Sequence, residues 1–146
     1  MTKVIYTSLV LTLLLLMSAQ KSFACSCAFS PGPEKKQVRQ AFNDSTAIFS
    51  GEVLEIRDSS EDINMLLVRF KVTKLWKGEL KREVTLTTAK QSAMCGYRFE
   101  IATKYLVYGN GPRDALLVTN CSRTTNASNR RDLKYLAKLK RQKRAN

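Results

Sequence analysis

The chain of 146 residues contains no histidine. That absence removes every catalytic triad, general base and zinc site that depends on an imidazole. It argues against an enzyme of the ordinary hydrolytic kind, and no other feature points to catalysis, a cofactor or a resident metal. Carboxylates are scarce as well, 12 against 25 Lys and Arg, so the chain is strongly cationic. Cysteine is held to four, with none between Cys27 and Cys95. No apolar run is long enough for a comfortable membrane span, the longest being Val4 to Met17.

What is present begins with a leader. Lys3, the apolar run from Val4 to Met17, and small residues at Ser22 and Ala24 have the layout of a secretory signal peptide over residues 1–24. Cleavage after Ala24 makes Cys25 the first residue of a single domain over 25–146. The leader takes Lys3 and Lys21 with it, leaving 23 cationic side chains against 12 acidic ones, a charge of +11. Secretion, extracellular or periplasmic, implies an oxidising destination. Cys25, Cys27, Cys95 and Cys121 are therefore expected as two disulfides rather than thiols or soft-metal ligands, and four cysteines allow three pairings. A cysteine directly after Ala24 also fits a lipoprotein junction, in which the new amine is acylated. Ser22, where an aliphatic residue is usual, and the bulky Phe23 argue against that route.

In the mature chain, Ser30-Pro31-Gly32-Pro33 breaks the extended start, and Val38, Ala41 and Phe42 fall at helical spacing, predicting a short helix over Glu34 to Phe42. Thr46 to Arg57, rich in Ile, Phe and Val, reads as a long strand in which Gly51 marks a bulge or bend. Leu66, Val68, Phe70 and Val72 alternate with Leu67, Arg69, Lys71 and Thr73, the clearest period-two signal in the chain. Lys77-Gly78-Glu79 turns into a third strand holding Val84 and Leu86. Tyr97 to Tyr108 and Ala115 to Thr119 supply two more, separated by Gly109-Asn110-Gly111-Pro112. The expectation is a mainly β chain with five strands in a small closed or nearly closed barrel, since closure removes exposed edges.

From Arg130 to Arg144 the chain holds Leu133, Leu136 and Ala137 on one helical face, and eight Lys or Arg against the single acid Asp132. One reading is a docked helix with a solvated basic face. The other is an electrostatic foot, with Lys138, Lys140, Arg141, Lys143 and Arg144 as a basic patch for acidic glycans or a membrane surface. Nucleic acid is the weakest partner for a secreted chain.

Taken together, Cys25-Ser26-Cys27, Phe70-Lys71-Val72 running to Trp76-Lys77-Gly78, Cys95-Gly96-Tyr97-Arg98-Phe99, Tyr105-Leu106-Val107-Tyr108 and Thr119-Asn120-Cys121-Ser122-Arg123-Thr124 resemble the netrin-like module. More narrowly, they are similar to the N-terminal inhibitory domain of the tissue inhibitors of metalloproteinases, over nearly the whole mature chain. The resemblance implies an OB-type five-stranded barrel with a short N-terminal helix and a C-terminal helix packed on it. It also implies the disulfides Cys25–Cys95 and Cys27–Cys121. The chain departs from the family in lacking a third disulfide and a second cysteine-rich domain, and in the spacing of Phe29 to Pro33.

The function that the resemblance implies is inhibition, by a monomer, of zinc metalloproteinases. The Cys25 amine and carbonyl would chelate the zinc of the target protease in trans. Ser26 would enter the pocket beside the metal, with Cys27 and Ala28 following along the cleft, and Ala93 and Met94, next to Cys95, would extend the contact ridge. The alternative is a non-inhibitory netrin-like module that attaches to acidic glycans, matrix or envelope surface.

Overall fold

The alternation in the second strand is realised as two different surfaces. Val68 and Phe70 are buried while Arg69 and Lys71 stay exposed, because successive side chains of a strand leave on opposite faces. The structure, a computed structural model, describes residues 25–28 and 31–145. The leader expected over residues 1–24, and Phe29 and Ser30, lie outside the described residues.

The elements in chain order are helix α1 (Glu34–Asp44), strands β1 (Ala47–Asp58), β2 (Met65–Lys77) and β3 (Glu83–Ala89), a single 3-10 turn (Ser92–Met94), strands β4 (Lys104–Gly109), β5 (Leu116–Leu117) and β6 (Thr125–Asn126), and helix α2 (Arg130–Ala145). The strands form one six-stranded sheet in the order β5-β3-β2-β1-β4-β6, antiparallel except where β5 runs parallel to β3. The sheet curls into a half-barrel. β1 and β2 slip register at three places, one of them between Ser50 and Gly51, and such bulges bend a strand and raise its twist. Gly51 is required there. A Cβ would lie 2.9 Å from the Lys71 carbonyl oxygen and 3.1 Å from the Phe49 ring.

The concave face holds one core, built from Phe49, Val53, Val68, Phe70, Leu86, Phe99, Tyr105, Val107 and their neighbours. Phe70 sits at its centre, meeting Phe49, Phe99 and Tyr105 edge-on at 5.5, 5.2 and 6.5 Å, the geometry that aromatic quadrupoles favour. Burying a ring of this size contributes about 1.5–3 kcal/mol. The convex face carries a second core in which Val38 and Phe42 of α1 and Leu136 of α2 cover Ile48, Trp76, Leu106 and Tyr108. β4 therefore alternates between two interiors, Tyr105 and Val107 to one and Leu106 and Tyr108 to the other. Lys77 ties the two layers, its Nζ donating to the Phe42 and Asn43 carbonyls at 2.6 and 2.9 Å at the end of α1, where a cation also suits the helix dipole.

Two expected strands are shorter than their composition suggests. Of Tyr97 to Tyr108, only Lys104–Gly109 is a strand. Tyr97 and Phe99 do pack against the concave core, but their segment finds side-chain partners instead of a ladder: Tyr97 N donates to Thr88 Oγ1 at 2.8 Å and Glu100 N to the Tyr105 hydroxyl at 3.1 Å. Ala102, at φ 60°, then turns the chain into β4. Of Ala115 to Thr119, only Leu116–Leu117 pairs with β3. Leu117 also exchanges backbone hydrogen bonds with Asn110 at 2.8 and 3.0 Å, so β5 reaches from β3 to the residue just past β4. β6 is a sixth strand beyond the five expected.

Candidate functional site

The first described residues run over one end of the half-barrel and are bonded to it twice. Cys25 is disulfide-bonded to Cys95 and Cys27 to Cys121, each with Cα atoms 5.1 Å apart. The two bridges touch, with Cys25 Sγ 3.7 Å from Cys121 Sγ. Cys25 and Cys27 are half-buried while Ser26 and Ala28 are exposed, so a segment of four residues shows its even-numbered side chains to solvent. In the chain-entropy account, closing loops of this length is worth about 4 kcal/mol each.

The anchor points are themselves fixed. The 3-10 turn Ser92–Met94 ends at Cys95, which takes a left-handed φ of 63° while its N–H donates to the Ser92 carbonyl at 3.0 Å. Gly96 follows with its N–H on the Gln91 carbonyl. A Cβ at Gly96 would collide with the Ala89 carbonyl oxygen, so only glycine fits. The Cys95 carbonyl accepts from Asn120 N at 2.8 Å, and Gly96 bridges Thr119. The segments that receive the two disulfides are thus hydrogen-bonded to each other. Ala93 and Met94, immediately before Cys95, are both exposed, Met94 by 48%.

Behind this end lies a buried polar node that no sequence pattern announces. Asp132 of α2 is fully buried and accepts from Arg123 Nε at 2.7 Å, from the second Arg123 nitrogen at 2.9 Å and from the Tyr108 hydroxyl at 3.0 Å. Arg123 also donates to Gln37 and Glu34 of α1. The node therefore joins α1, β4, α2 and the loop carrying Cys121. The hydrogen bond with Asp132 keeps the Arg123 guanidinium charged above its ordinary range against the opposing effect of burial. Burial, reinforced by the Asp132 carboxylate, pushes the Tyr108 phenol far above its usual value. The one available signal is Asp132 itself, a lone acid in a basic helix.

The Sγ atoms of Cys25, Cys27 and Cys121 lie within 4.8 Å of one another. All three are in disulfides, so they offer no thiolate to a soft metal. The expected basic patch is divided. Lys138 and Arg141 are exposed, whereas the Lys140 ammonium donates to the Leu75 carbonyl and helps dock α2 on β2. The side chains of Lys143 and Arg144 lie outside the described residues. No protein-family model matches the chain, and no curated protein matches it.

Proposed function

We propose that the mature chain is a secreted inhibitor of zinc metalloproteinases, acting through its first residue. The observation that carries this reading is the segment Cys25–Ala28, clamped at both cysteines with Ser26 exposed between them. Once the leader is removed, Cys25 has a free α-amino group, and its nitrogen and carbonyl oxygen form a five-membered chelate suited to open positions on a protease zinc. The amine, with a usual pKa of about 7.7–8.0, loses its proton to solvent near neutrality as the metal takes its lone pair. Ser26 then faces the pocket beside the metal, Cys27 and Ala28 follow the substrate path, and Ala93 and Met94 form the adjoining ridge. A wedge ordered before binding loses less entropy on binding.

The fold is consistent with an OB-type barrel. If the Asn110–Leu117 pairing is counted, the ring reads β1-β2-β3-β5-β4 and returns to β1, with β3 and β5 parallel. β6 is then an appendage of two residues on the far side of β4.

The test begins with the secreted product, whose intact mass should equal residues 25–146 less four hydrogens. Its inhibition constant is then measured against a panel of zinc endopeptidases and compared with a form bearing one alanine before Cys25. The extension replaces the amine by an amide nitrogen, a poor zinc donor, and leaves the barrel unchanged. It should cost at least about 3 kcal/mol, more than a hundredfold in affinity. Ser26→Arg should also weaken inhibition, since its charge would be desolvated in an apolar pocket. Equal inhibition by the extended form, or none by the authentic one, would overturn the reading.

A further inference from the structure

β4 pairs with β1 only from Ala47 to Glu52, so the outer half of β1 has no ladder partner on that side. The irregular segment Tyr97 to Phe99 packs there instead, and between it and the ends of β1, β2 and β3 lies a cavity of about 210 Å³. Its walls are apolar, formed by Ile56, Leu66, Val68, Tyr97 and Phe99. Two cations, Lys90 and Arg98, also line it and are exposed, so they stand at its mouth, while no carboxylate lines it. Arg98 has no carboxylate partner among the described residues. Lys90 holds Asp58 at 2.9 Å, but that carboxylate is 75% exposed, and such surface pairs contribute little. One lining residue, Thr88, is fully buried. Its hydroxyl accepts the Tyr97 N–H at 2.8 Å and has no acceptor for its own proton among the described residues.

We infer that this cavity binds a small monocarboxylic acid with an apolar body, its ring or short alkyl chain among Ile56, Leu66, Val68 and Phe99 and its carboxylate on Lys90 and Arg98. Size, charge and lining choose this occupant. A cavity of about 150 Å³ admits benzene, so 210 Å³ holds one ring or a short chain with the acid group at the mouth, and excludes a sterol or a long acyl chain. A cationic ligand or a metal ion would find no carboxylate on the lining. A sugar would leave its hydroxyl groups without partners against the apolar walls, a costly burial. An acid with an apolar body meets both halves of the site, and small-molecule sites are commonly built in this way, apolar with a few placed polar groups. The Thr88 hydroxyl supplies one further donor. Neither Cys25–Ala28 nor Ala93 and Met94 line the cavity, so the inference stands apart from inhibition.

The experiment titrates 3-phenylpropionate into the 15N-labelled mature protein at about 0.15 M NaCl and follows the amide resonances. Those of Gly96, Tyr97 and Arg98 should shift and saturate, with a Kd of about 1 mM or tighter, in keeping with a ligand of this size. The neutral 3-phenylpropionamide should bind at least about fivefold more weakly, since it lacks the charge-assisted hydrogen bonds, and acetate should give no saturable shift. The paired change Lys90→Gln and Arg98→Gln should weaken the acid at least about fivefold and leave the amide within about twofold of the parent. A control that loses equal charge on α1, through Lys35→Gln and Arg39→Gln, should bind the acid like the parent. All four substituted side chains are exposed, and dispersion of the amide spectrum verifies that both variants fold. Ile56→Trp, which fills the cavity, should abolish binding of acid and amide alike. The alanine-extended form should bind the acid like the parent, whatever its inhibition constant. No saturable shift at these amides would overturn the inference. So would equal binding of acid and amide, equal loss in the α1 control, or unaltered binding by Ile56→Trp.

Discussion

At the scale of single residues, the least expected group is Asp132, a carboxylate with no exposure in a helix of eight basic residues. Its cost of burial is offset by a two-pronged arginine and a phenol, and a buried charge is tolerated only when so paired. The same node gives stability a dependence on alkali. The Tyr108 pKa is raised in the folded chain, with burial as the first cause and Asp132 next. Burial raises those of Tyr97 and Tyr105 as well. Above about pH 10, the unfolded chain releases phenolic protons that the folded chain retains, so the unfolding free energy falls as pH rises, and the full stability is present only below that value. Urea midpoints from pH 8 to 11.5 should be level to about pH 10 and then decline. Tyr108→Phe should start lower by about 1–2 kcal/mol for the missing hydrogen bond and decline less steeply. An unchanged slope would mean that Tyr108 does not carry the effect.

At the scale of elements, legibility follows periodicity. β2 and α1 are readable because each repeats its pattern over several residues, and Gly51 is readable as a bulge because a glycine inside an apolar strand has few other uses. β5 and β6, at two residues each, have no period to read. Tyr97 to Thr103 misleads for another reason: its aromatic residues fill the core as strand residues would, while its backbone is held by Thr88 and Tyr105 side chains. Composition puts Lys140 in the basic patch, because it does not disclose which cation will find a carbonyl. The turn before that irregular segment offers the element-level prediction. Gly96→Ala would press a methyl group into the Ala89 carbonyl, so the turn must shift and carry Cys95 with it. The expected loss is at least about 2 kcal/mol in urea unfolding. Unaltered stability would show that the turn has slack.

At the scale of the whole molecule, the cysteine framework is the most legible part and the charged surface the least. The cysteine pairing implied by the family resemblance is the pairing found, Cys25–Cys95 and Cys27–Cys121. The polar node is legible only as the lone acid Asp132, because it depends on α1, β4, α2 and the Arg123 loop meeting. Two disulfides across so small a core should dominate its stability. Replacing both Cys27 and Cys121 by alanine should lower the unfolding free energy by about 4–5 kcal/mol. A loss below about 1 kcal/mol, read from urea midpoints, would mean that the bridge pins the terminal segment without stabilising the barrel.

The same bridge decides how the molecule would carry a load. A pull applied at Cys25 and at helix α2 crosses from Cys27 to Cys121 through covalent sulfur and runs on through the loop at Arg123 and β6. The strands between residues 27 and 121 lie off that line. Tension can peel α2 from the convex face and β6 from β4, drawing their residues out at about 3.5 Å each, but it cannot unzip β1 to β5 while the sulfur bond holds. Held at its first described residues and at α2, the molecule would thus stretch like a short leash and keep its bridged end in shape.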